Sequence, residues 1–203
     1  MRVVFATNNK DKAIEVKKIL DGIDVYTLKE LGIESNPDEN GDTFAANARI
    51  KAMDVYEILK ARGEMKETIV AADDSGICID FLNGEPGVKS ARFLGHQTSY
   101  TEKNRIILEL LKDAKDEERG ASFVCHVTFI TEDGTVFDAE SEMKGKIAYE
   151  SKGEEGFGYD PIFFLPEFGK TSGELTREEK NVVSHRGKVF RKMREILCQN
   201  NLL

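Results

Sequence analysis

The sequence predicts an α/β fold in which a mixed β-sheet is flanked by helices, and three observations lead there. Short β-branched runs alternate with segments whose apolar residues recur every three and four positions, the pattern of strands feeding helices. A long alternating stretch, Phe123 to Met143, is interrupted by Asp133-Gly134, a turn that makes an antiparallel hairpin. An amphipathic segment closes the chain, so strand–helix units and a hairpin share one sheet, which cannot then be all-parallel.

In chain order, Arg2 to Ala6 reads as a short buried strand. Asn8 or Asn9 can then cap a helix with Ala13, Val16, Ile19 and Leu20 on one face. Thr43 caps a second helix, where Ala45, Ala48, Ala52, Val55 and Leu59 draw one apolar stripe and Asn47 and Lys51 share a neighbouring face. Thr68 to Ala72 is a strand expected to end at Asp73, Asp74, Ser75 and Gly76, with Ile77 and Ile79 alternating beyond. Ser99 with Glu102 forms a capping box before Ile106, Ile107, Leu110 and Leu111, a helix of structural character, and Thr176 with Glu179 repeats the signature. Ser184 can cap the last helix, whose buried stripe is Val189, Phe190, Met193, Ile196 and Leu197. With no internal repeat and no low-complexity linker, residues 1–203 are expected to form a single bilobed domain.

Composition narrows the function. At 203 residues, 40% apolar and 33% charged, the chain can bury a sizeable core. A net charge of −8 argues against a protein that coats nucleic acid, which needs a broad positive surface, so any anionic ligand must be met locally. The chain lacks an 18-residue apolar run, and Val3 to Ala6 lie directly against the polar run Thr7 to Lys12. Neither a membrane helix nor a signal peptide is expected, and a cytoplasmic protein with no membrane partner follows. Cys78, Cys125 and Cys198 are far apart, odd in number and form no C-x-x-C pair, so buried free thiols are expected.

Two phosphate motifs fail on inspection. Gly169-Lys170-Thr171 resembles the end of a Walker A loop, but Phe164 stands where that loop needs its first glycine. Gly156 and Gly158 open like a dinucleotide fingerprint, yet Pro161 follows and no strand-to-helix turn does. What remains is Thr7-Asn8-Asn9-Lys10-Asp11-Lys12 between a strand and a helix. Open backbone N–H groups and the positive end of the helix dipole favour a phosphate there, and Lys12 adds a full charge. An ordinary capped helix start with solvated lysines is the alternative.

Asp73 and Asp74 are candidate ligands for Mg²⁺, a hard cation that takes one or two carboxylates plus substrate oxygens and water, and Glu39 in a polar loop can complete the set. Adjacent strand residues point to opposite faces, which places Asp74 first, while an Asx-type turn ahead of Gly76 is the structural alternative. Gly153 to Asp160 holds three glycines around Phe157 and Tyr159, a loop able to bring backbone donors and an aromatic face against a flat ring. His185 and Arg186, at a helix start, can donate to a base oxygen or to phosphate, or simply sit solvated there. His126, in an alternating strand, reads as structural.

Five segments in order resemble the inosine/xanthosine triphosphate pyrophosphatase family. They are Ala6-Thr7 through Asn9 to Lys12 and Glu15; Glu39, Gly41, Thr43-Phe44 and Asn47-Ala48; Asp73-Asp74-Ser75-Gly76 running to Pro86-Gly87 and Ser90-Ala91-Arg92; Gly156 to Pro161 with Phe163; and Leu175 through Lys180 to Ser184-His185-Arg186. Val189, where the family has a small residue, and Ile79, where it often has valine, depart from the pattern without touching a polar group. The resemblance implies two lobes with an active-site cleft between them, usually as a homodimer. It also implies Mg²⁺-assisted hydrolysis of ITP, dITP and XTP to monophosphate and pyrophosphate.

Carried over by position, Asp74 is the proton acceptor and a metal ligand, Glu39 a second acidic group at the metal, and Ser75 a substrate contact. Thr7, Asn9, Lys12, Lys51 and Lys180 match phosphate-binding positions, Phe157, Gly158, Tyr159 and Asp160 the base-and-sugar loop, and His185 with Arg186 the base site. Lys12, Lys51 and Lys180 are therefore expected to converge as a local basic patch on an acidic protein. A pyrophosphatase for modified pyrimidine or ordinary nucleotides, or a nucleotide sensor without turnover, are the competing readings.

Overall fold

The computed structural model describes residues 1–202. In chain order the elements are β1 Arg2–Phe5, α1 Lys10–Ile19, β2 Asp24–Thr27, α2 Phe44–Ala61, β3 Thr68–Ile79, α3 Tyr100–Leu110, β4 Gly120–Ile130, β5 Val136–Ile147, β6 Phe163–Leu165, β7 Lys170–Thr171, α4 Arg177–Val183 and α5 His185–Gln199. The strands order β2-β1-β3-β4-β5-β6-β7 in one sheet. β1 pairs parallel with β2 and β3, whereas β6 pairs antiparallel with β5 and β7. The predicted mixed α/β architecture is therefore the observed one.

The chain divides into two compact units. The first comprises Met1–Asp74, Cys125–Ser141 and Arg186–Leu203, the second Ser75–Val124 and Glu142–His185. In the first, strand alternation sorts the core into two layers. Val3, Phe5, Ile69, Ala71, Cys125, Val127 and Phe129 pack with Val16 of α1 and with Val189, Phe190 and Met193 of α5. The intervening Val4, Ala6, Val70 and Ala72 pack with Ala52, Val55, Tyr56 and Leu59 of α2. Helices thus cover both faces of these strands, and burying each large apolar side chain contributes about 1.5–3 kcal/mol. Thr43 fixes the start of α2, its hydroxyl accepting from the Ala46 N–H at 3.1 Å, a cap whose loss costs ~1 kcal/mol.

The second unit has its own core, where Ile107 and Leu111 meet Ile77, Ile79, Phe123, Met143, Ile147, Tyr159 and Phe163. Arg119 is fully buried there, its guanidinium donating to the carbonyls of Ile147, Leu111 and Ala148 at 2.7–2.8 Å. This side chain joins the end of α3 to the end of β5.

Three expectations are corrected. β3 does not end at Asp73; it runs unbroken through Asp73-Asp74-Ser75-Gly76 to Ile79, so the carboxylates sit mid-strand and the Asx-turn alternative fails. Ser99 caps α3, but Glu102 does not close the box, because its carboxylate is drawn to Arg105 at 2.8 Å; at Thr176 and Glu179 the reciprocal bonds do form. Only one thiol is fully buried, Cys125, whereas Cys78 is half-buried and Cys198 exposed. No helix among the described residues is long and apolar enough to cross a membrane.

Candidate active site

The first group of predicted site residues lies where β1 passes into α1. Asn9 adopts an extended backbone conformation and caps the helix, its Oδ1 accepting from the N–H groups of Asp11 at 2.9 Å and Lys12 at 3.2 Å. Thr7 Oγ1 in turn accepts from the Asn9 N–H at 3.1 Å, and Asn8 donates to the Ser35 carbonyl. This corrects the expectation of open N–H groups: the Asp11 and Lys12 donors are satisfied within the turn. Asn8, Asn9, Lys10 and Asp11 are exposed, while the Lys12 side chain reaches back to β3.

At β3 the pleat decides the outcome. Asp73 continues the parity of Ile69 and Ala71 and so faces the α1 and α5 layer; Asp74 continues that of Val70 and Ala72 and faces α2. Asp73 receives Lys12 Nζ at 3.0 Å on both oxygens and Arg186 Nε at 3.2 Å, while Arg186 Nη1 donates to Glu15 at 2.5 Å. Burial opposes ionisation of Asp73, but the charges of Lys12, Arg186 and Lys51 overcome it and hold the carboxyl below the usual range. Beneath it lies Cys125, whose thiol is pushed up by burial and by the Asp73 charge, an inert side chain.

On the other face Asp74 accepts from Asn47 Nδ2 at 3.2 Å and Lys51 Nζ at 3.3 Å, and the same ammonium meets Glu39 at 2.9 Å. Asn47 and Lys51 are one turn apart on α2, which is why the helix presents both to one carboxylate. Asn47 Oδ1 also holds the Gly41 N–H at 2.9 Å, anchoring the loop that carries Glu39. A side chain at Gly41 would collide with Asn47 Oδ1 at 2.8 Å. Burial raises the Asp74 pKa despite Lys51 and Lys12. Lys51 is pushed the other way from its burial, upward, by Asp74, Asp73 and Glu39.

Glu39 and Asp74 therefore converge on one cationic point. No three His, Cys, Asp or Glu side chains gather for a metal among the described residues. Two carboxylates leave most of a coordination shell to substrate oxygens and water, the donor set that suits Mg²⁺.

The second unit holds the glycine-rich loop. Asp160, almost fully buried, accepts from the Phe157 N–H at 2.8 Å, Lys180 Nζ at 2.7 Å and Ser172 Oγ at 2.9 Å. The Lys180 ammonium also lies 4.9 Å from the Phe157 ring centroid. Gly156, at φ +78°, is required: a Cβ there would stand 2.2 Å from the Asp160 carboxylate. Tyr159 donates to the Ser90 carbonyl at 2.7 Å. His185 stacks on Phe123 with centroids 5.0 Å apart and planes within 9°. Ser75 is half-buried next to Asp74 along β3.

Of the three predicted lysines, Lys12 and Lys51 meet beside the paired aspartates. Lys180 belongs to the second unit and pairs with Asp160. Arg186 is committed to Asp73 and Glu15, away from solvent. Sequence reasoning overlooked Ser172, which donates to Asp160, Phe123, which stacks on His185, and Asn104, which donates to the Gly158 carbonyl. Ser172 adjoins the Gly-Lys-Thr run set aside as a failed motif, and Asn104 lies in a helix read as structural, its poor helix propensity being the available signal.

A model of the Ham1 family matches residues 3–196. A Clostridium perfringens protein named dITP/XTP pyrophosphatase is 41% identical over 198 residues, with 97% of each chain covered. One of the same name from Caldanaerobacter subterraneus is 42% identical over 201 residues, covering 98% of this chain and 97% of its own. Among solved structures, the Staphylococcus aureus Ham1 protein aligns with a TM-score of 0.85 at 33% identity, covering 98% of this chain and 100% of its own. A HAM1 protein from Coxiella burnetii aligns with a TM-score of 0.83 at 34% identity, covering 98% and 99%. With the family pattern matched over nearly the whole chain, this protein belongs to the Ham1 family.

Proposed function

We propose that the chain, acting as one functional domain in the cytoplasm and as a homodimer, is a magnesium-dependent nucleoside triphosphate pyrophosphatase. It hydrolyses ITP, dITP and XTP to the monophosphate and pyrophosphate by attack of water on the α-phosphorus, clearing these nucleotides from the pool. The observation that carries the reading is the convergence of Glu39 and Asp74 on the Lys51 ammonium beside the Lys12–Asp73 pair. Relatives named dITP/XTP pyrophosphatase, matched over almost their full length, support the reaction class.

The chemistry follows from the charges. Asp74, its basicity raised by burial, orients a water and takes its proton. Lys51 and Lys12 offset the negative charge of the triphosphate and of the departing pyrophosphate. Glu39 and Asp74 would hold Mg²⁺, which when bound would supply Lewis-acid polarisation of the phosphate oxygens. Thr7 and Asn9 shape the turn that presents Lys12, and Ser75 contacts the substrate from the next position of β3. Phe157 offers a ring face to the purine, with Gly158, Tyr159, Asp160, Lys180 and His185 building the surrounding pocket. Hypoxanthine and xanthine carry a carbonyl acceptor at position 6 where adenine carries an amino donor, so donors aimed there exclude ATP. Guanine shares the 6-oxo group and must be rejected at position 2, where its amino donor replaces hydrogen or oxygen.

The test is a panel of ITP, XTP, dITP, ATP, GTP and modified pyrimidine triphosphates with Mg²⁺, read by release of pyrophosphate. ITP and XTP should exceed ATP in kcat/KM by roughly 10⁴ to 10⁵, as sites built around a substrate hydrogen bond do. Release of orthophosphate in place of pyrophosphate would overturn the reaction assignment. A pyrimidine preference would overturn the substrate class, and binding without turnover would mark a sensor.

A further inference from the structure

The first turns of α3 grip the loop that carries Phe157. Tyr100, Lys103 and Asn104 stand three and four positions apart and so share a face. Tyr100 packs edge-on to Tyr159 with centroids 5.3 Å apart, and Lys103 donates to the Ala91 carbonyl at 2.7 Å. Asn104 donates its Nδ2 to the carbonyl of Gly158 at 3.1 Å. That carbonyl is only an acceptor, so the Asn104 amide has one sensible orientation, which leaves Oδ1 buried without a donor. A buried acceptor left unmatched lowers stability, whereas an apolar side chain here would remove that acceptor and leave the Gly158 carbonyl without this donor. What the amide accomplishes at that cost is to hold the Gly158 carbonyl.

Gly158 has φ +71°, and its peptide link to Tyr159 is trans. In a trans peptide the C=O and N–H point in opposite directions, so holding the Gly158 carbonyl also fixes the direction of the Tyr159 N–H. Among the described residues that N–H meets no acceptor. Building on the pyrophosphatase reading above, we infer that Asn104 is a positioning residue for base discrimination. It anchors the Gly158–Tyr159 peptide so that the Tyr159 N–H is presented, away from α3, to the 6-oxo group of the purine.

Two variants test this. Asn104→Leu removes both polar atoms, and Asn104→Asp keeps the size but cannot donate when ionised. For each, kcat/KM is measured with ITP and with ATP, alongside the melting temperature. The expected result is a fall of at least tenfold in the ITP-to-ATP ratio in both variants, carried by ITP, with ATP turnover unchanged and both variants still melting cooperatively. An unchanged ratio, an equal loss for both substrates, or failure of both variants to fold would assign Asn104 to the framework and overturn the inference. Wild-type protein that leaves ITP untouched in the same assay would instead overturn the functional reading itself.

Discussion

Asp73 and Asp74 are neighbours in one strand, chemically identical, and the two faces of β3 give them opposite fates. On the face shared with α1 and α5, Asp73 is 1% exposed at its side chain and closed in by Lys12 and Arg186. On the α2 face, Asp74 shares a single ammonium with Glu39, whose side chain is 38% exposed. The first carboxyl is held ionised by fixed cations; the second is made a stronger base by burial that its neighbours offset only in part. The difference bears on the proposed mechanism: an acid closed in by two cations is suited to holding structure, and one whose burial is only partly compensated, beside an exposed acid, is the better candidate for chemistry.

The sharpest way to break the comparison is Asp74→Asn. The amide keeps the shape and the Asn47 neighbourhood but removes the proposed proton acceptor and one of the two acids that meet Lys51. We expect pyrophosphate release from ITP to fall by roughly 10²–10⁴, the range for loss of a general base, with the urea midpoint close to wild type. Turnover within tenfold of wild type would remove Asp74 from the mechanism and leave the two faces equivalent.

Asp73→Asn probes the opposite face and should register in stability first. It takes from Arg186, 2% exposed, the carboxylate that accepts from its Nε, leaving the Glu15 pair, and strips Lys12 of its anchor. Removing one partner of a buried ion pair costs about 3–5 kcal/mol, and we expect the lower end because asparagine retains one acceptor. Denaturant unfolding measures it. A loss below about 1 kcal/mol would show that the closed face does not depend on its charges.

This contrast explains what was legible in the sequence. The helix caps at Asn9, Thr43 and Thr176 and the mixed sheet were readable because they rest on local chemistry and two simple periods. The opposition of Asp73 and Asp74 was readable too, since it needs only the pleat. The course of β3 was misread: Asp-Asp-Ser-Gly is turn chemistry in isolation. It stays extended here because Lys12, Arg186, Asn47 and Lys51 satisfy its carboxylates from elements far away in sequence. Arg186 suggested a ligand contact from its place at a helix start, and nothing local announces that Glu15, 171 positions earlier, claims its guanidinium. Long-range charge pairing is what a linear pattern cannot display.

Glu30 calibrates the comparison from the solvent side and carries the smallest expected effect. Hydrogen bonds from Lys17 and from the Thr27 N–H and hydroxyl pull its pKa from 4.5 to about 2, a downward shift like that of Asp73 but at an open surface. A depressed folded-state pKa means a contribution present above the unfolded value of 4.5 and lost as pH falls through about 2. Solvent screening limits it to about 0–1 kcal/mol. Glu30→Gln, which keeps an acceptor for Thr27 but not the charge, should therefore destabilise by under about 1 kcal/mol at pH 7, an amount that shrinks in high salt. Denaturant midpoints of variant and wild type should converge as pH falls from 4.5 to 2. If Glu30→Gln costs as much as Asp73→Asn, a large pKa shift would mark a structural ion wherever it occurs, and burial would lose its place as the property that separates the two faces of β3.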